Sequence, residues 1–180
     1  TIGEYAFNGC WNLESIKLPN SLKEIGEYAF NGCKNLKGIT LPNSLKEMGR
    51  GVFQSCENLE SITLPNNLKE IGKKAFHNCW NLESIKLLDG VKIIGKEAFF
   101  DCWKLESITL PNSLKEIGEY AFNGCASLKS IKLTDGVKII RKYAFRGCDN
   151  LKEINIPDGV KMGVDVFKGC DNLKIKKIKK

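Results

Sequence analysis

The stretch NGCWNLESIKLPNSLKEIGEYAFNGC, residues 8–33, ends on the three letters with which it begins. The return takes 23 residues and recurs down the chain. Cysteines stand at Cys10, Cys33, Cys56, Cys79, Cys102, Cys125, Cys148 and Cys170; six intervals are 23 residues and the last is 22. A phenylalanine sits three residues before every cysteine, from Phe7 to Phe167, and a leucine three residues after, from Leu13 to Leu173. Such registration marks an internal repeat. Residues 1–180 therefore form a single array of about eight units.

One unit places apolar side chains at Ala6, Phe7, Cys10, Leu13, Ile16, Leu18, Leu22 and Ile25. Their spacing changes along the unit. Ile16-Lys17-Leu18 alternates, which is the pattern of a half-buried strand. Phe7 and Cys10 are three apart, which suits one helical or 3₁₀ turn. No segment holds a 3.6-residue period for ten residues, so long helices are excluded. Each unit reads as a coil: short strand, turn, a second extended stretch near Leu22–Ile25, then a tight helical turn. One coil cannot bury its apolar side alone, but stacked coils can.

The turn residues agree. Proline follows the strand at Pro19, Pro42, Pro65, Pro111 and Pro157, where its missing N–H ends the ladder. Leu88 and Thr134 take its place twice. The residue before each cysteine is Gly, Asn or Asp except at Ser55, which predicts a left-handed backbone there. A second glycine column, Gly3 to Gly163, is broken by Arg141.

The motif LxxIxLPxxLxxIGxxAFxxCxx, as in LESIKLPNSLKEIGEYAFNGCKN (residues 13–35), resembles the leucine-rich repeats of the BspA-like, or Treponema-type, class. The resemblance covers essentially the whole chain. It implies an α/β right-handed solenoid, with a parallel β-sheet on the concave side and short helical or 3₁₀ turns on the convex side. It also implies a secreted or surface-attached protein of a bacterium or protist, mediating adhesion to host or neighbouring-cell proteins. It brings no catalytic residues with it. The last unit departs from the motif: a residue is missing before Met162, and residues 171–180 decay into a lysine-rich end.

The formal charge of +7 is concentrated in that end. The run KIKKIKK holds Lys174, Lys176, Lys177, Lys179 and Lys180, and without these five lysines the balance is +2. A short lysine run at a chain end reads as a solvated terminus or as a blunted sheet edge, in preference to a nucleic-acid site. No apolar run approaches the ~18 residues that cross a bilayer. Thr1-Ile2-Gly3-Glu4 has neither a basic nor an apolar leader character and opens inside a repeat, as a piece of a longer array does.

The cysteines occupy one equivalent interior position in every unit. That placement predicts reduced structural thiols acting as small hydrophobes. Disulfides between neighbouring coils are the alternative, but the Cβ vectors of a ladder run parallel rather than towards each other. Zinc needs ligands converging on one point, whereas a ladder spreads them along a line. No metal or cofactor is expected. His77 lies near Cys79 in sequence, but its column also holds Asn8, Gln54, Phe100 and Arg146. Such variety marks a solvated rim position rather than a catalytic Cys–His pair. No acid–base pair or phosphate-binding loop appears either, so the chain is not expected to be an enzyme.

What remains is binding. The outward strand positions Lys17, Thr40, Thr63, Lys86, Thr109 and Lys132 line the face that solenoids use for partners. The same residues also suit a plain hydrated sheet face. Trp80 and Trp103 follow cysteines in adjacent units and form an aromatic patch at the sheet edge, or fold down as rim hydrophobes. These candidates predict a module for a protein ligand. A spacer array and a carbohydrate-binding Trp patch are the alternatives.

Overall fold

The computed structural model describes residues 1–178; Lys179 and Lys180, the last two lysines of the basic run, lie outside the described residues. The strands are β1 (Glu24–Ile25), β2 (Gly38–Thr40), β3 (Glu47–Met48), β4 (Ser61–Thr63), β5 (Glu70–Ile71), β6 (Ser84–Lys86) and β7 (Ile93–Ile94). They continue as β8 (Ser107–Thr109), β9 (Glu116–Ile117), β10 (Ser130–Lys132), β11 (Ile139–Ile140), β12 (Glu153–Pro157), β13 (Lys161–Met162) and β14 (Lys174–Ile178). All pairings are parallel and join equivalent residues of successive coils, as in Ile85↔Ile108 and Ile94↔Ile117. The chain is thus a parallel β-solenoid with three faces: even-numbered strands, odd-numbered strands, and a face of turns.

The alternation in Ile-containing strands sets the core. Ile39, Ile85, Ile108, Ile131 and Ile154 are buried between outward polar neighbours. Behind them, Phe7 to Phe167 form an unbroken ladder of stacked rings with centroids 5.0–5.7 Å apart. Every buried side chain among the described residues is apolar or a cysteine. The polar cost of burial therefore falls mainly on backbone groups, most of which stacking satisfies, and on three side-chain atoms without a partner, Arg50 Nε, Gln54 Oε1 and His77 Nδ1.

The turn face corrects one expectation. The described residues contain no helix, and the predicted helical or 3₁₀ turns are absent. Hydrogen bonding gives the reason. Asn31 and Cys33 donate within their own coil, to Tyr28 O (3.0 Å) and Phe30 O (3.2 Å). The alternate donors Tyr28, Phe30 and Gly32 instead reach the next coil, at Arg50 O, Val52 O and Gln54 O (2.8–2.9 Å). A helix needs successive N–H groups to bond within the segment, so spending every second one on the stack limits it to single turns. The alternation requires two left-handed positions per coil. One is the expected position before cysteine, with Ser55 at φ 57° and Asp101 at 54°. The other was not foreseen: Tyr28, Glu97, Tyr120 and Tyr143 lie at φ 53–58°.

The glycine column, by contrast, reflects close approach. A Cβ on Gly118 lies 2.6 Å from the Gly95 carbonyl carbon of the preceding coil. Gly118→Ala is expected to force the two coils apart and cost about 1–3 kcal/mol, read as a lowered urea midpoint with an unchanged slope. Arg141 holds the equivalent place and sends its guanidinium out to Glu116, 2.8 Å away.

Two irregularities remain. At the last coil, β14 pairs with β12 at an offset of 21, as in Ile154↔Ile175, although the cysteine spacing there is 22. The slip sets isoleucine beside isoleucine; a one-residue change of register would move it to the other face. The described lysines of the basic run, Lys174, Lys176 and Lys177, thus sit on an edge strand, where lysine discourages further pairing. Between the third and fourth coils both sheets are interrupted: β2–β4 and β1–β3 form two-stranded sheets apart from the five-stranded sheets that begin at β6 and β5.

Candidate binding surface

The outward residues of the even-numbered strands come together as expected from the period of two. Lys17, Thr40, Thr63, Lys86, Thr109 and Lys132 are all exposed. Pairing sets Thr40 beside Thr63, and Lys86 beside Thr109. Neighbouring lysines on this face are engaged: Lys129 reaches Glu106 at 2.7 Å and Lys176 reaches Glu153 at 3.0 Å. Lys17, Lys86 and Lys132 make no ion pair among the described residues. A partner's carboxylates would therefore displace no intramolecular ion pair in reaching them. Gly38 adds a feature that reading by columns passed over. Its missing side chain leaves a shallow depression of about 480 Å³ bounded by Lys17, Asn20, Thr40, Ser61 and Thr63.

The position after each cysteine lies at the corner between the turn face and this sheet. Side chains there meet coil to coil. Lys34 and Glu57 form an ion pair at 2.8 Å. Trp80 and Trp103 stack in parallel with centroids 5.0 Å apart and planes 3° from coplanar. Trp103 remains 48% exposed, while Trp80 is half-buried. The Asp101 carboxyl is raised above the usual range chiefly by burial, with the polar end of Trp103 opposing. Trp11, 65% exposed, stands alone at the first coil.

The cysteines do more than fill space. Each Sγ from Cys33 to Cys170 donates to a phenylalanine carbonyl of the preceding coil at 3.1–3.2 Å, as in Cys79 to Phe53 O and Cys102 to Phe76 O. Nothing in the spacing announced this bond. It adds a second donor to a carbonyl that already accepts the cysteine N–H of its own coil, as Phe53 O does from Cys56 at 3.2 Å. All eight thiols are free. Cys10 departs from the expected buried ladder and is exposed.

His77 is likewise not the solvated rim residue expected. Its side chain is 15% exposed and lies flat on Phe100, with ring centroids 4.8 Å apart. Its Nδ1 stands 3.6 Å from Glu97 Oε2, and its pKa is lowered by burial first and by Lys74 second, with Glu97 opposing. The Cys79 thiol is committed to Phe53 O, so the two residues form no nucleophile–base pair.

The comparisons fit this geometry. A family model for the BspA type leucine-rich repeat region, in six copies, matches residues 1–112 and 69–180. This is a repeat region, not a catalytic domain. No curated protein matches the chain. Among solved structures, the chain is similar to a leucine-rich repeat protein of Treponema pallidum, with 39% identity and a TM-score of 0.86, over 89% of this chain and 78% of that one. It is also similar to a leucine-rich repeat protein of Bacteroides ovatus (28% identity, TM-score 0.71), spanning 99% of this chain and 60% of that one. A third, a leucine rich cell surface protein of Faecalibacterium prausnitzii, is 25% identical with a TM-score of 0.65, over 98% of this chain and 62% of that one. No helix among the described residues is long and apolar enough to cross a membrane. With its whole length matched and its coils superposing on such structures, the chain belongs to the BspA-type leucine-rich repeat family.

Proposed function

We propose that this solenoid is a non-enzymatic protein-binding module, part of a surface or secreted adhesin that attaches to host or neighbouring-cell proteins. The observation that carries the reading is the exposed Trp80–Trp103 stack at the border of a polar sheet face whose Lys17, Lys86 and Lys132 are unpaired. A stacked pair of tryptophans supplies the aromatic anchor that interface hot spots favour, and lysines on the adjoining sheet face supply charge for a polar rim. The even-numbered strands serve here as the concave, partner-facing side. The family likeness supports the class, and the description of the Faecalibacterium prausnitzii neighbour as a cell surface protein supports the location.

Surface plasmon resonance against extracellular-matrix and cell-surface proteins tests this. Trp103→Ala is expected to weaken binding about 30-fold, the effect of losing a hot spot of about 2 kcal/mol. Lys86→Ala is expected to act mainly on the association rate and its salt dependence. Parallel stacking covers one face of each indole, which leaves less ring surface for a sugar and favours a protein ligand. A positive glycan array with no protein captured reverses that preference. Failure of both leaves the array as a spacer.

A further inference from the structure

The column that carries Trp80 and Trp103 changes character in the next two coils, where it continues as Ala126 and Asp149. Trp80 covers one face of the Trp103 indole, with ring centroids 5.0 Å apart. On the other side the equivalent residue is Ala126, whose single methyl leaves that face of the indole open. Beyond it Asp149 is exposed. Trp103 and Asp149 stand two coils, about 10 Å, apart along the stack. The floor between them is small and fixed. Gly124 and Ala126 are both half-buried, and Ala126 N–H donates to Gly124 O at 2.8 Å. From the preceding coil the Asp101 carboxylate leans over Gly124, into the room that a Cβ there would take. The polar end of Trp103 is turned towards the same carboxylate. The result is a notch with an indole wall, a floor of glycine and alanine, and a carboxylate on two sides.

The charge in this notch is unanswered. Neither Asp101 nor Asp149 makes an ion pair among the described residues. Cations of the surrounding coils are engaged elsewhere. Lys96 and Lys142 reach Glu119 at 3.3 and 3.2 Å, and Lys129 reaches Glu106 at 2.7 Å. The Arg146 guanidinium lies over the Tyr143 ring at 5.8 Å. Lys104, beside Trp103 in the chain, is exposed and pairs with neither carboxylate. Burial raises the Asp101 carboxyl, as it does for a charge short of solvation. The backbone does not require that charge. Asp101 holds φ 54°, and Asn78, one coil earlier in the same column, holds φ 60° with a neutral amide. A half-buried carboxylate without a cation carries a desolvation cost, which a cation from outside offsets.

We propose that this notch receives an arginine side chain from an exposed segment of the partner protein. The proposal rests on the reading of the Trp80–Trp103 border as an interface, and it names the chemistry that docks there. The guanidinium lies flat on the open face of Trp103, within about 6 Å of its centroid. Its N–H groups donate to the Asp101 carboxylate. Asp149 adds a second negative charge from the far side. Arginine fits better than lysine because a planar, weakly hydrated group stacks and donates at once. A second copy of the chain offers no free arginine. Its Arg50 and Arg146 lie over Tyr28 and Tyr143, and its Arg141 is paired with Glu116.

The probe is an acetylated, amidated Gly-Gly-Arg-Gly-Gly peptide, with counterparts that carry citrulline or lysine in place of arginine. Citrulline keeps the planar shape and removes the charge. Each is titrated onto the whole chain while the amide and indole resonances are followed. The arginine peptide is expected to shift the Trp103 indole N–H and the Gly124 and Ala126 amides saturably, and to weaken with salt. The lysine peptide is expected to bind about threefold or more weakly, and the citrulline peptide about tenfold or more. Asp101→Asn places in this column a side chain that it already holds at Asn78. It is expected to lower the affinity for the arginine peptide about tenfold with unchanged circular dichroism. Trp103→Ala is expected to erase the preference for arginine over lysine. Equal affinity for the arginine and citrulline peptides, unchanged affinity in Asp101→Asn, or shifts that avoid Gly124 and Ala126 overturn the proposal. So does the lack of a saturable shift at millimolar peptide. These titrations need no partner protein. The notch can therefore fail while Trp103→Ala still weakens capture of a surface protein, and the interface reading can fail while the notch holds arginine.

Discussion

Phe99→Ala is expected to cost about 3–5 kcal/mol and to split the unfolding of the chain into two transitions. Phe99 is fully buried, and its ring stacks on Phe76 at 5.3 Å and on Phe122 at 5.2 Å. In a globular core such a cavity weakens everything at once. In a solenoid each coil touches only its neighbours, and stability is a sum of coil and junction terms. Removing the middle ring weakens two adjacent junctions and uncouples the segments on either side. Urea titration followed by circular dichroism, with amide exchange assigning each transition to a half, is the measurement. Phe7→Ala, in the half-covered first coil, serves as the control and should cost much less. A single transition with a loss under about 1 kcal/mol contradicts the stacked-coil account.

The second large effect is in thiol chemistry. Under native conditions at pH 8, an aromatic disulfide reagent is expected to modify Cys10 quickly and the buried thiols from Cys33 to Cys148 more slowly by a factor on the order of a thousand. Cys10 is exposed. Burial first, then the neighbouring Cys10, pushes the Cys33 thiol up to about 11, and burial also raises Cys56, Cys79, Cys102 and Cys125 well above the ordinary thiol value. The thiolate is the reactive form, and these S–H groups are also held by phenylalanine carbonyls. In denaturant all eight cysteines should react. Several fast thiols in the native chain, or a deficit in denaturant that reductant restores, would falsify the buried ladder of free thiols.

Much of the coil was legible because its residues answer to local rules. Ile85 and Ile108 alternate with polar neighbours and so had to face inward from a strand. Asn78 and Asp101 before their cysteines announced a left-handed backbone. Trp80 and Trp103, one unit apart, had to be neighbours once the units stacked. Other features depend on what lies across the gap between coils. The left-handed Tyr28 column carries no glycine signal except Gly51, because its strain is offset by a hydrogen bond to the next coil. The bond from Cys79 to Phe53 O spans 26 residues, and cysteine alone reads equally as a small hydrophobe. The column of Gly118 stood out in the sequence, but only the structure shows it to be a point of backbone approach between coils.

By itself, then, the sequence determined that the chain winds in 23-residue coils, which side of each coil is apolar, and that identical columns must stack. Periodicity can say this because it records the environment that every coil shares. Only the tertiary structure decided that the turns stop short of helix, that each thiol from Cys33 onward bonds to a phenylalanine carbonyl of the preceding coil, and that β3 and β5 meet without a ladder. Each of these is a relation between two particular coils. The fit at one junction depends on the joint shape of both sides, such as Met48 and Val52 against the coil that follows, and a repeating pattern averages that away.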